Sequence, residues 1–441
     1  MKTATTMKTV LGFFAVCLAL GAAAAEISGV TVRQRWPWSR LVDIDYVIAD
    51  ATQAVDIAVT AYNGSTPLTL PDGSLSGDRY GVSSDGTHRI VWDPTVTAYT
   101  NAEVLAKFKV ALTTQPVSAK RYMIIDLSAG TTATSYPVTY TNEVIGADGQ
   151  WDMLYKTERL VLRRVEAGSF VAGSPVGEKA RKTTPAGCET RELQHPVILT
   201  RPFYIGVFEM TQRQCELITG NTYGAFTNSL YYASRPADKV NYNAIRGSSS
   251  GTNWPSSTAV DATSILGKLR SRTGNVLAFD LPTEAQWEYA CRAGTTNAFF
   301  NGGTTSETAA QYDGYMTLIG RFQGNYSAGE TLDANCSPAT GTATVGSYLA
   351  NPWGLYDMSG NVWECTRDWC SLTYPSGTVT DPVGAASAAE AYSAFRSVRG
   401  GGWNTPMDDA RAAARGIANP SAMFSTVASA RNGFRLYAPV E

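Results

Sequence analysis

Two acidic residues flank a glycine-containing turn in the segment DMSGNVWE, which spans residues 357–364. Asp357 and Glu364 offer hard oxygen donors, and the main-chain carbonyls of the turn between them can point inward. A calcium ion with six to eight oxygen ligands requires this kind of donor set. The alternative is a structural turn in which Asp357 caps the backbone and Glu364 pairs with an arginine. The residues themselves are compatible with both interpretations.

The start of the chain has the pattern of a secretory signal peptide. Lys2 and Lys8 precede the apolar run VLGFFAVCLAL, and three alanines at 23–25 supply a small-residue cleavage site. The apolar run is shorter than the roughly 20 residues that span a bilayer, which favours cleavage over an uncleaved membrane anchor. We therefore expect residues 1–25 to be removed. The mature chain would then have no transmembrane segment and would be secreted, periplasmic or at the cell surface.

Cysteine content divides the chain into two parts. Of seven cysteines, Cys17 falls in the predicted signal peptide, which leaves six that all lie after residue 187: Cys188, Cys215, Cys291, Cys336, Cys365 and Cys370. An even number in an exported chain permits up to three disulfides, with fifteen possible connectivities. The close pair Cys365 and Cys370 is expected to form a disulfide or to be buried, rather than to bind a metal.

Composition excludes some classes of protein. A length of 441 residues with 44% hydrophobic residues predicts two or three packed domains. The 36 Lys and Arg against 38 Asp and Glu give a net charge of -2 without long charged runs, so no nucleic acid partner is expected. Charged residues are only 17%, while 40 glycines and 22 tyrosines are present, which favours a loop-rich extracellular protein.

Residues 26–145 show the alternation of apolar and polar residues that is typical of β-strands, in segments such as LVDIDYVI, VDIAVTAY and YMIIDLS. Turn signals such as Asn63-Gly64 separate these segments. Several short strands at this spacing predict an all-β sandwich that resembles immunoglobulin or fibronectin-type modules. His88, one of two histidines in the chain, lies in a predicted strand here and is expected to be an ordinary edge residue.

Residues 150–441 show a different pattern, with few helices and long loops. Two helices are expected to begin at capping boxes, in which a Thr hydroxyl and a Gln side chain bond the free amides of the first turn, and to end at a glycine. These signals are Thr211 with Gln214 before Gly220, and Thr283 with Gln286 before Gly294. A third helix is predicted over residues 261–272 from its apolar spacing. This region is therefore predicted to be mixed α+β.

Motifs in this second region resemble those of a known family. They are GSFVAGSPVGE at 168–178, LPTEAQWEYACRAGT at 281–295, NPWGLYDMSGNVWEC at 351–365, and VRGGGWN at 398–404 followed by GFRL at 433–436. In this order they resemble the formylglycine-generating enzyme family, or sulfatase-modifying factor domain, over residues 150–441. The resemblance implies a variant of the C-type lectin fold. The predicted architecture is thus an all-β sandwich followed by a C-type-lectin-like mixed domain.

The resemblance also implies calcium as a structural cofactor. Carried over from the family, the first site would use the side chains of Asp357 and Glu364 and the main-chain carbonyls of Gly360 and Val362. The second site would use Asn325 and the carbonyl of Tyr326, with Asp333 or Asn335 as candidates for its remaining ligands.

The chemistry of the family depends on residues that are not found at the corresponding positions. Its best-known members oxidise a sulfatase cysteine to formylglycine with oxygen and two cysteines that bind copper(I). That pair belongs between Trp403 and Arg411, where the sequence is WNTPMDDAR, and no cysteine follows Cys370. Another branch of the family binds iron through three histidines, but this chain has only His88 and His195. We therefore predict no catalytic residues and no copper.

These observations predict an exported ligand-binding or structural module. Residues 404–432 fall where catalytic relatives have their pocket, and they are the expected binding surface for an extracellular protein, a glycan or a small molecule. The alternative is a sulfatase-activating, cysteine-oxidising enzyme with a non-standard site. Thiols or clustered histidines near residues 403–411 would have favoured that alternative, and whether the chain is an enzyme stays open at this stage.

Overall fold

The computed structural model describes residues 25–440, apart from 36–39, 51–54, 69, 71–73, 80–81, 83–84, 95–106, 117–119, 143–150, 182–190, 276, 303–314, 326–340, 372–373, 387–394 and 419–430. Residues 1–24 of the predicted signal peptide lie outside the described residues, and only Ala25 is described. The described part of the chain is mostly β-structure with a few short helices. None of those helices has the length and apolar character needed to cross a membrane.

The N-terminal strands are β1 (Glu26–Gln34), β2 (Val42–Ala49), β3 (Val55–Asn63), β4 (Thr66–Leu68), β5 (Leu75–Gly77), β6 (Gly86–Trp92), β7 (Phe108–Pro116), β8 (Tyr122–Asp126) and β9 (Val138–Thr141). The later strands are β10 (Arg159–Val165), β11 (Gly168–Ala172), β12 (His195–Leu199), β13 (Phe203–Gly206), β14 (Trp363–Trp369), β15 (Val379–Thr380), β16 (Arg396–Arg399), β17 (Gly416–Ala418), β18 (Asn432–Gly433) and β19 (Tyr437–Pro439). The helices are α1 (Leu154–Thr157), α2 (Gln212–Thr219), α3 (Tyr242–Arg246), α4 (Ile265–Arg272), α5 (Glu284–Arg292) and α6 (Met316–Ile319).

Strands β1 to β7 form two antiparallel sheets, with strand orders β1-β2-β6-β5 and β4-β3-β7. The two sheets share one apolar core, in which Ile44 of β2 and Trp92 of β6 lie with Ile57 of β3. The alternation seen in the sequence produces this core, because successive side chains of a strand point to opposite faces. Asp43 is buried in β2, and the guanidinium groups of Arg33 and Arg35 bond its carboxylate.

Strands β8 and β9 do not join these two sheets. They belong to a five-stranded sheet of order β19-β13-β10-β8-β9, so the assignment of YMIIDLS to the sandwich is wrong. The physical reason is that both faces of β8 are covered. Met123 and Ile125 enter one apolar core, while Tyr122 and Ile124 enter another on the opposite face. A strand that is buried on both faces needs packing layers on each side, which the second region supplies.

Helices α2 and α4 cover one face of the five-stranded sheet. Ile218 of α2 and Leu266 of α4 share a core with Met123 of β8 and Leu162 of β10. The remaining strands form a sheet of order β11-β12-β15 and a sheet of order β17-β16-β14-β18. Strand β14 lies at the centre of the last sheet, pairs with β16 and β18, and follows directly on the DMSGNVWE turn.

Both predicted capping boxes are confirmed. The Thr211 hydroxyl accepts a hydrogen bond from the Gln214 amide at the start of α2, and α2 ends at Gly220 in the left-handed conformation. Thr283 and Gln286 form the same reciprocal pair at the start of α5. This helix ends at Arg292, and the residue in the left-handed conformation is Ala293, one position before the predicted glycine.

Helix α4 begins later than the predicted range of 261–272. Its first residue is Ile265, and the Ser264 hydroxyl caps it by accepting a hydrogen bond from the Gly267 amide. Asp261 is held outside the helix because its carboxylate accepts hydrogen bonds from the amides of Ser249 and Gly251. Ser264, and not Asp261, therefore marks the start of helix α4.

Buried arginine–carboxylate pairs connect distant parts of the second region. They include Arg246–Asp280 at 2.8 Å, Arg411–Glu192 at 2.8 Å, Arg415–Glu284 at 2.7 Å, Arg435–Glu364 at 2.6 Å, and Arg399–Glu288. In all but the first, the partners are more than 70 positions apart in the chain. The sequence analysis offered an arginine partner for Glu364 as one alternative but named none of the partners, because carboxylate partners cannot be assigned by spacing at such separations.

Removal of the α5 cap provides a test of the helix analysis. Thr283→Ala is expected to lower the free energy of unfolding by about 1 kcal/mol, because the Gln286 amide loses its acceptor. Urea unfolding of the full chain measures this change. The control is Thr258→Ala at an exposed position, where a change within about 0.5 kcal/mol is expected. Equal losses in the two variants would contradict a capping role.

The pair between Glu284 and Arg415 predicts a pH-dependent stability. Burial would raise the pKa of Glu284, but Arg415 and Arg399 outweigh it and lower the pKa from 4.5 to about 2. A carboxyl group with a lowered folded-state pKa stabilises the fold fully above pH 4.5 and loses that contribution as the pH falls toward 2. Glu284→Gln should therefore cost about 3 kcal/mol at pH 7 and progressively less in that window.

Urea unfolding of both proteins at pH 7 and at pH 3 measures the effect of Glu284→Gln. The matched control is Glu216→Gln, which removes a partly exposed carboxylate 2.8 Å from Arg213. That variant is expected to lose less than about 1 kcal/mol. A cost of Glu284→Gln that did not change between the two pH values would refute the assigned ion pair.

Candidate functional site

The DMSGNVWE turn has an unusual backbone. Asp357 and Asn361 both have positive φ, at 56° and 62°, which residues with a side chain rarely adopt. Gly360 has a φ of 88°, and a Cβ atom there would lie 2.1 Å from the carbonyl oxygen of Arg321. The Gly360 amide donates to Gly400 and the Asn361 amide to Arg321, at 2.6 and 2.7 Å. The turn is thus fixed between the segment around residue 321 and the glycine run.

Asp357 is buried beneath this turn. Its Oδ2 atom accepts a hydrogen bond of 2.7 Å from the Gly346 amide, whereas Oδ1 has no hydrogen-bond partner within the described residues. Burial is the main cause that raises the pKa of Asp357 to about 6, although Arg435 and Lys156 act in the opposite direction. The side chain therefore offers one oxygen that is available to a cation.

Glu364 is also buried, and it pairs with an arginine. Oε1 accepts from Nη2 of Arg435 at 2.6 Å, and Oε2 accepts from Nε of Arg435 at 2.6 Å and from Trp287 Nε1 at 2.7 Å. This pairing agrees with the alternative from the sequence analysis, in which the segment is a structural turn and Glu364 pairs with an arginine. Because each carboxylate oxygen can accept two hydrogen bonds, Oε1 retains one lone pair.

A third buried acid, Glu209, adjoins the turn, although the sequence analysis did not single it out. Its carboxylate accepts hydrogen bonds from Asn361 Nδ2 at 2.6 Å and from the Val362 amide at 3.1 Å. Burial, followed by repulsion from Asp357 and Glu364, raises the pKa of Glu209 well above its usual value. The only available signal was the position of Glu209 in the segment IGVFEMTQ, just before a capping box.

The oxygen atoms around the turn supply some, but not all, of the ligands that a cation needs. Asp357 has an unpaired oxygen, and the three acids are faced by the single charges of Arg435 and Lys156. Glu364 could contribute only the remaining lone pair of an oxygen that Arg435 also binds. Within the described residues, no group of three or more His, Cys, Asp or Glu side chains has a metal-binding arrangement. Calcium at Asp357, Gly360, Val362 and Glu364 stays a prediction.

The second expected calcium site lies mostly outside the described residues. Asn325 is described, and its side chain closes its own loop. Oδ1 accepts from the Phe322 amide at 2.9 Å, and Nδ2 donates to the Gly320 carbonyl at 2.8 Å. Tyr326, Asp333 and Asn335 are not among the described residues, so this site also stays a prediction.

The segment 403–411, in which the resemblance places two thiols, is packed with other side chains. Trp403 is fully buried, and the Thr405 hydroxyl accepts a hydrogen bond from the Gly402 amide at 2.9 Å. Met407 and Ala410 lie in an apolar cluster with Phe299, Ile319 and Phe322. Beyond them Arg411 is anchored by two carboxylates, those of Glu178 and Glu192, both on its Nη1 atom.

Four of the six cysteines considered for disulfides are described in the structure, and they are not bonded to one another. Cys215, Cys291, Cys365 and Cys370 are all buried, whereas Cys188 and Cys336 lie outside the described residues. The expected Cys365–Cys370 disulfide is wrong, and the alternative of simple burial is observed. Five residues along an extended strand separate the two Cα atoms by roughly 16 Å, well beyond disulfide reach. Burial raises the pKa of the Cys291 and Cys365 thiols to about 12.

The two histidines occupy different settings. His88 is a half-buried residue of β6 whose ring stacks on Tyr46, and its Nδ1 atom lies 3.3 Å from Asp78. His195 begins β12 and is buried, with Nδ1 3.0 Å from the Leu193 carbonyl. The two residues belong to different sheets, and no shared site brings them together.

A serine motif was missed by the sequence analysis. The segment GSSSG at 247–251 matches the GxSxG spacing of the nucleophile elbow in hydrolases. Such an elbow lies between a strand and a helix, but this segment follows α3 and leads into a 3-10 turn. The Ser249 amide donates to Asp261, which fixes the loop in another way. The motif therefore lacks the structural context of a hydrolase.

Comparison with known proteins agrees with this geometry. The family model described as sulfatase-modifying factor enzyme 1-like domain matches residues 156–438. The formylglycine-generating enzyme of Mus musculus is 34% identical over 110 residues, covering 25% of this chain and 27% of that protein. The serine/threonine-protein kinase pkn1 of Chlamydia caviae is 34% identical over 148 residues, covering 33% of this chain and 19% of the kinase.

The chain thus spans about a quarter or less of the length of these curated relatives. Among solved structures, Treponema denticola variable protein 1 is similar with a TM-score of 0.45 and 20% identity, covering 64% of this chain and 96% of that one. The family match extends over more than half of the chain and includes the turn, the glycine run and the GFRL segment. The chain belongs to the sulfatase-modifying factor (formylglycine-generating enzyme) domain family.

Proposed function

We propose that this protein is an exported, non-catalytic member of the family that serves as a ligand-binding or structural module. The observation that supports this proposal best is the packing of residues 403–411. Met407 and Ala410 fill the region with apolar contacts, where cysteine oxidation requires thiolates that can reach copper and substrate. A sealed apolar cluster cannot supply that chemistry.

The cysteines elsewhere in the described residues do not replace the missing pair. The thiols of Cys291 and Cys365 have pKa values raised to about 12, so neither is ionised at neutral pH. A thiolate, rather than a thiol, is the metal ligand and the nucleophile. Burial also separates these thiols from any peptide substrate in solution.

The same segment offers a surface suited to binding. Trp403, Thr405 and Met407 point inward, while the polar side chains of their neighbours Asn404 and Asp408 are only half-buried. We place the ligand surface here, within residues 404–432, of which 419–430 lie outside the described residues. The partner would be an extracellular protein, a glycan or a small molecule, presented on a C-type-lectin-like arrangement of the second region.

The export part of the proposal depends on residues 1–25, with the mature chain secreted, periplasmic or at the cell surface. A buried free thiol is compatible with an oxidising compartment, because burial protects it from oxidants and from other thiols. The four buried cysteines therefore do not argue against export.

Incubation with a sulfatase-type cysteine peptide tests the proposal. The purified mature chain, supplied with oxygen and with or without copper(I), is expected to leave the peptide cysteine unchanged, because residues 403–411 provide no thiol. Mass spectrometry of the peptide measures conversion, and an active formylglycine-generating enzyme is the positive control. Conversion by the folded chain would refute the proposal, and Cys365→Ser would then be the next variant.

We also propose that calcium binds at the DMSGNVWE turn and stabilises the second region. The unpaired Asp357 oxygen and the cluster of three buried acids support this part of the proposal. A cation there would offset the repulsion among Glu209, Asp357 and Glu364 that now raises the pKa of Glu209. The carbonyls of Gly360 and Val362 would complete the set.

Chelation of calcium should therefore lower the melting temperature of the mature chain by several degrees, since a ligand that binds only the folded state stabilises it. Re-addition of calcium should restore the melting temperature, and magnesium at the same concentration should not. In Asp357→Ala the response to calcium should disappear, whereas Glu216→Gln, remote from the turn, should keep it. A chelator-insensitive melting temperature would rule out the site.

A further inference from the structure

A cavity of about 400 Å³ lies in the second region, away from the segments already described. It is bounded by β12, by the start of α5, by the end of β14 and by residues 374–385. No residue of 357–364 or 403–410 lines it. Its volume falls in the range of cavities that hold small organic ligands.

The charged groups that line this cavity are neutralised by other protein groups. Arg415 holds both carboxylate oxygens of Glu284, at 2.7 Å each. Glu288 is bonded by Arg292 and Arg399. Among the described lining residues, the one cation, Arg415, is thus paired, and Glu284 and Glu288 are each bonded by an arginine. The charges therefore favour a neutral occupant.

The carboxylate of Asp368, which also lines the cavity, is occupied by protein donors. Its Oδ1 atom accepts from Trp254 Nε1 at 3.1 Å, and its Oδ2 atom accepts from the Glu284 amide. Burial raises the pKa of Asp368 to about 6, and both of its oxygens already accept a hydrogen bond from the protein.

Two polar groups in the cavity lining are available for hydrogen bonding. His195 is only 4% exposed, and because a carbonyl can only accept, its Nδ1 atom donates to Leu193 at 3.0 Å. Nε2 is then an acceptor, and it has no hydrogen-bond partner in the described part of the chain. The hydroxyl of Tyr374 likewise has none there. The centres of the His195 and Tyr374 rings lie 4.5 Å apart, so the two rings are neighbours in the cavity lining.

The other surfaces of the cavity are apolar or aromatic. Val197, Val379, Val383 and Pro375 contribute aliphatic contacts, and the Trp369 ring closes one side. The Arg415 guanidinium lies 4.2 Å from the centre of the Tyr374 ring, which fixes the orientation of that ring. A sugar would bring more hydroxyl groups than the two free polar groups can satisfy, and buried unsatisfied hydroxyls are costly.

We propose that this cavity binds a small uncharged aromatic molecule that carries one hydroxyl group, a ligand of the phenol class. The ring lies among the valines, Pro375 and Trp369. The ligand hydroxyl donates to Nε2 of His195 and accepts from the hydroxyl of Tyr374. Of the described residues in 404–432, only Arg415 lines this cavity, so binding here and binding at Asn404 and Asp408 can be tested separately.

Isothermal titration calorimetry tests the site. The mature chain is titrated with p-cresol, and the heat of binding is measured. Saturable binding with one ligand per chain is expected. The anion 4-methylbenzoate, which has a similar shape, is expected to bind at least tenfold more weakly because Arg415 is already paired with Glu284. Methyl glucoside is expected to give no saturable binding. Absence of p-cresol binding by the folded chain, or tighter binding of either comparison compound, would overturn the proposal.

Two variants locate the binding. Tyr374→Phe keeps the ring and removes one hydrogen bond, so the Kd for p-cresol should rise about tenfold. Val383→Phe fills part of the cavity and should abolish binding. Tyr315→Phe changes a tyrosine that is 55% exposed and remote from the cavity, and it should leave the Kd unchanged. Binding that both Tyr374→Phe and Val383→Phe left intact would place the ligand elsewhere and refute the site.

Discussion

The second region depends on buried pairs between arginines and carboxylates. Its helices are short and its loops are long, so regular hydrogen-bonded structure fixes only part of the chain. Arg411, Arg415 and Arg435 each connect a C-terminal segment to a carboxylate more than 70 positions earlier in the chain. Such pairs add little net stability over apolar packing, but an unpaired member is very costly in the interior. Their main effect is therefore to exclude other arrangements of the same chain.

This constraint explains why the turn at residues 357–364 has strained backbone. Glu364 must reach Arg435 and Trp287, while the neighbouring amide of Val362 must reach Glu209. Both requirements can be met only if the chain reverses tightly between Asp357 and Glu364, with positive φ at several residues. The strain is stable because the surrounding ion pairs and hydrogen bonds determine the position of both ends of the turn.

Local features of the fold were predictable from sequence because their causes are local. The capping boxes at Thr211 and Thr283 need only residues three positions apart, and both formed as expected. The pairing of β8 was not predictable, because alternation identifies a strand but does not identify the sheet that it joins. The partner of Arg435 is likewise a long-range outcome, which a single sequence does not encode in its spacing.

The candidate site shows the same difference between features that are local in sequence and features that come from distant segments. The motif at 357–364 was located correctly as a compact acidic turn, because its glycine and acids are adjacent in sequence. Glu209, which completes the cluster from 152 positions away, was not identified. The cavity at His195 and Tyr374 was also not foreseen, since its lining comes from segments that are far apart in the chain.

The position of residues 403–411 is fixed at both ends of the segment. At one end of this segment the Trp403 amide donates to Asn361, and at the other end Arg411 is held by Glu178 and Glu192. Both anchors lie outside the stretch from 404 to 410, so its side chains can change without loss of either anchor. Here Met407 and Ala410 convert the interior of that stretch into apolar packing. The anchors therefore fix the backbone at both ends, and the side chains between them determine what this stretch packs against and presents.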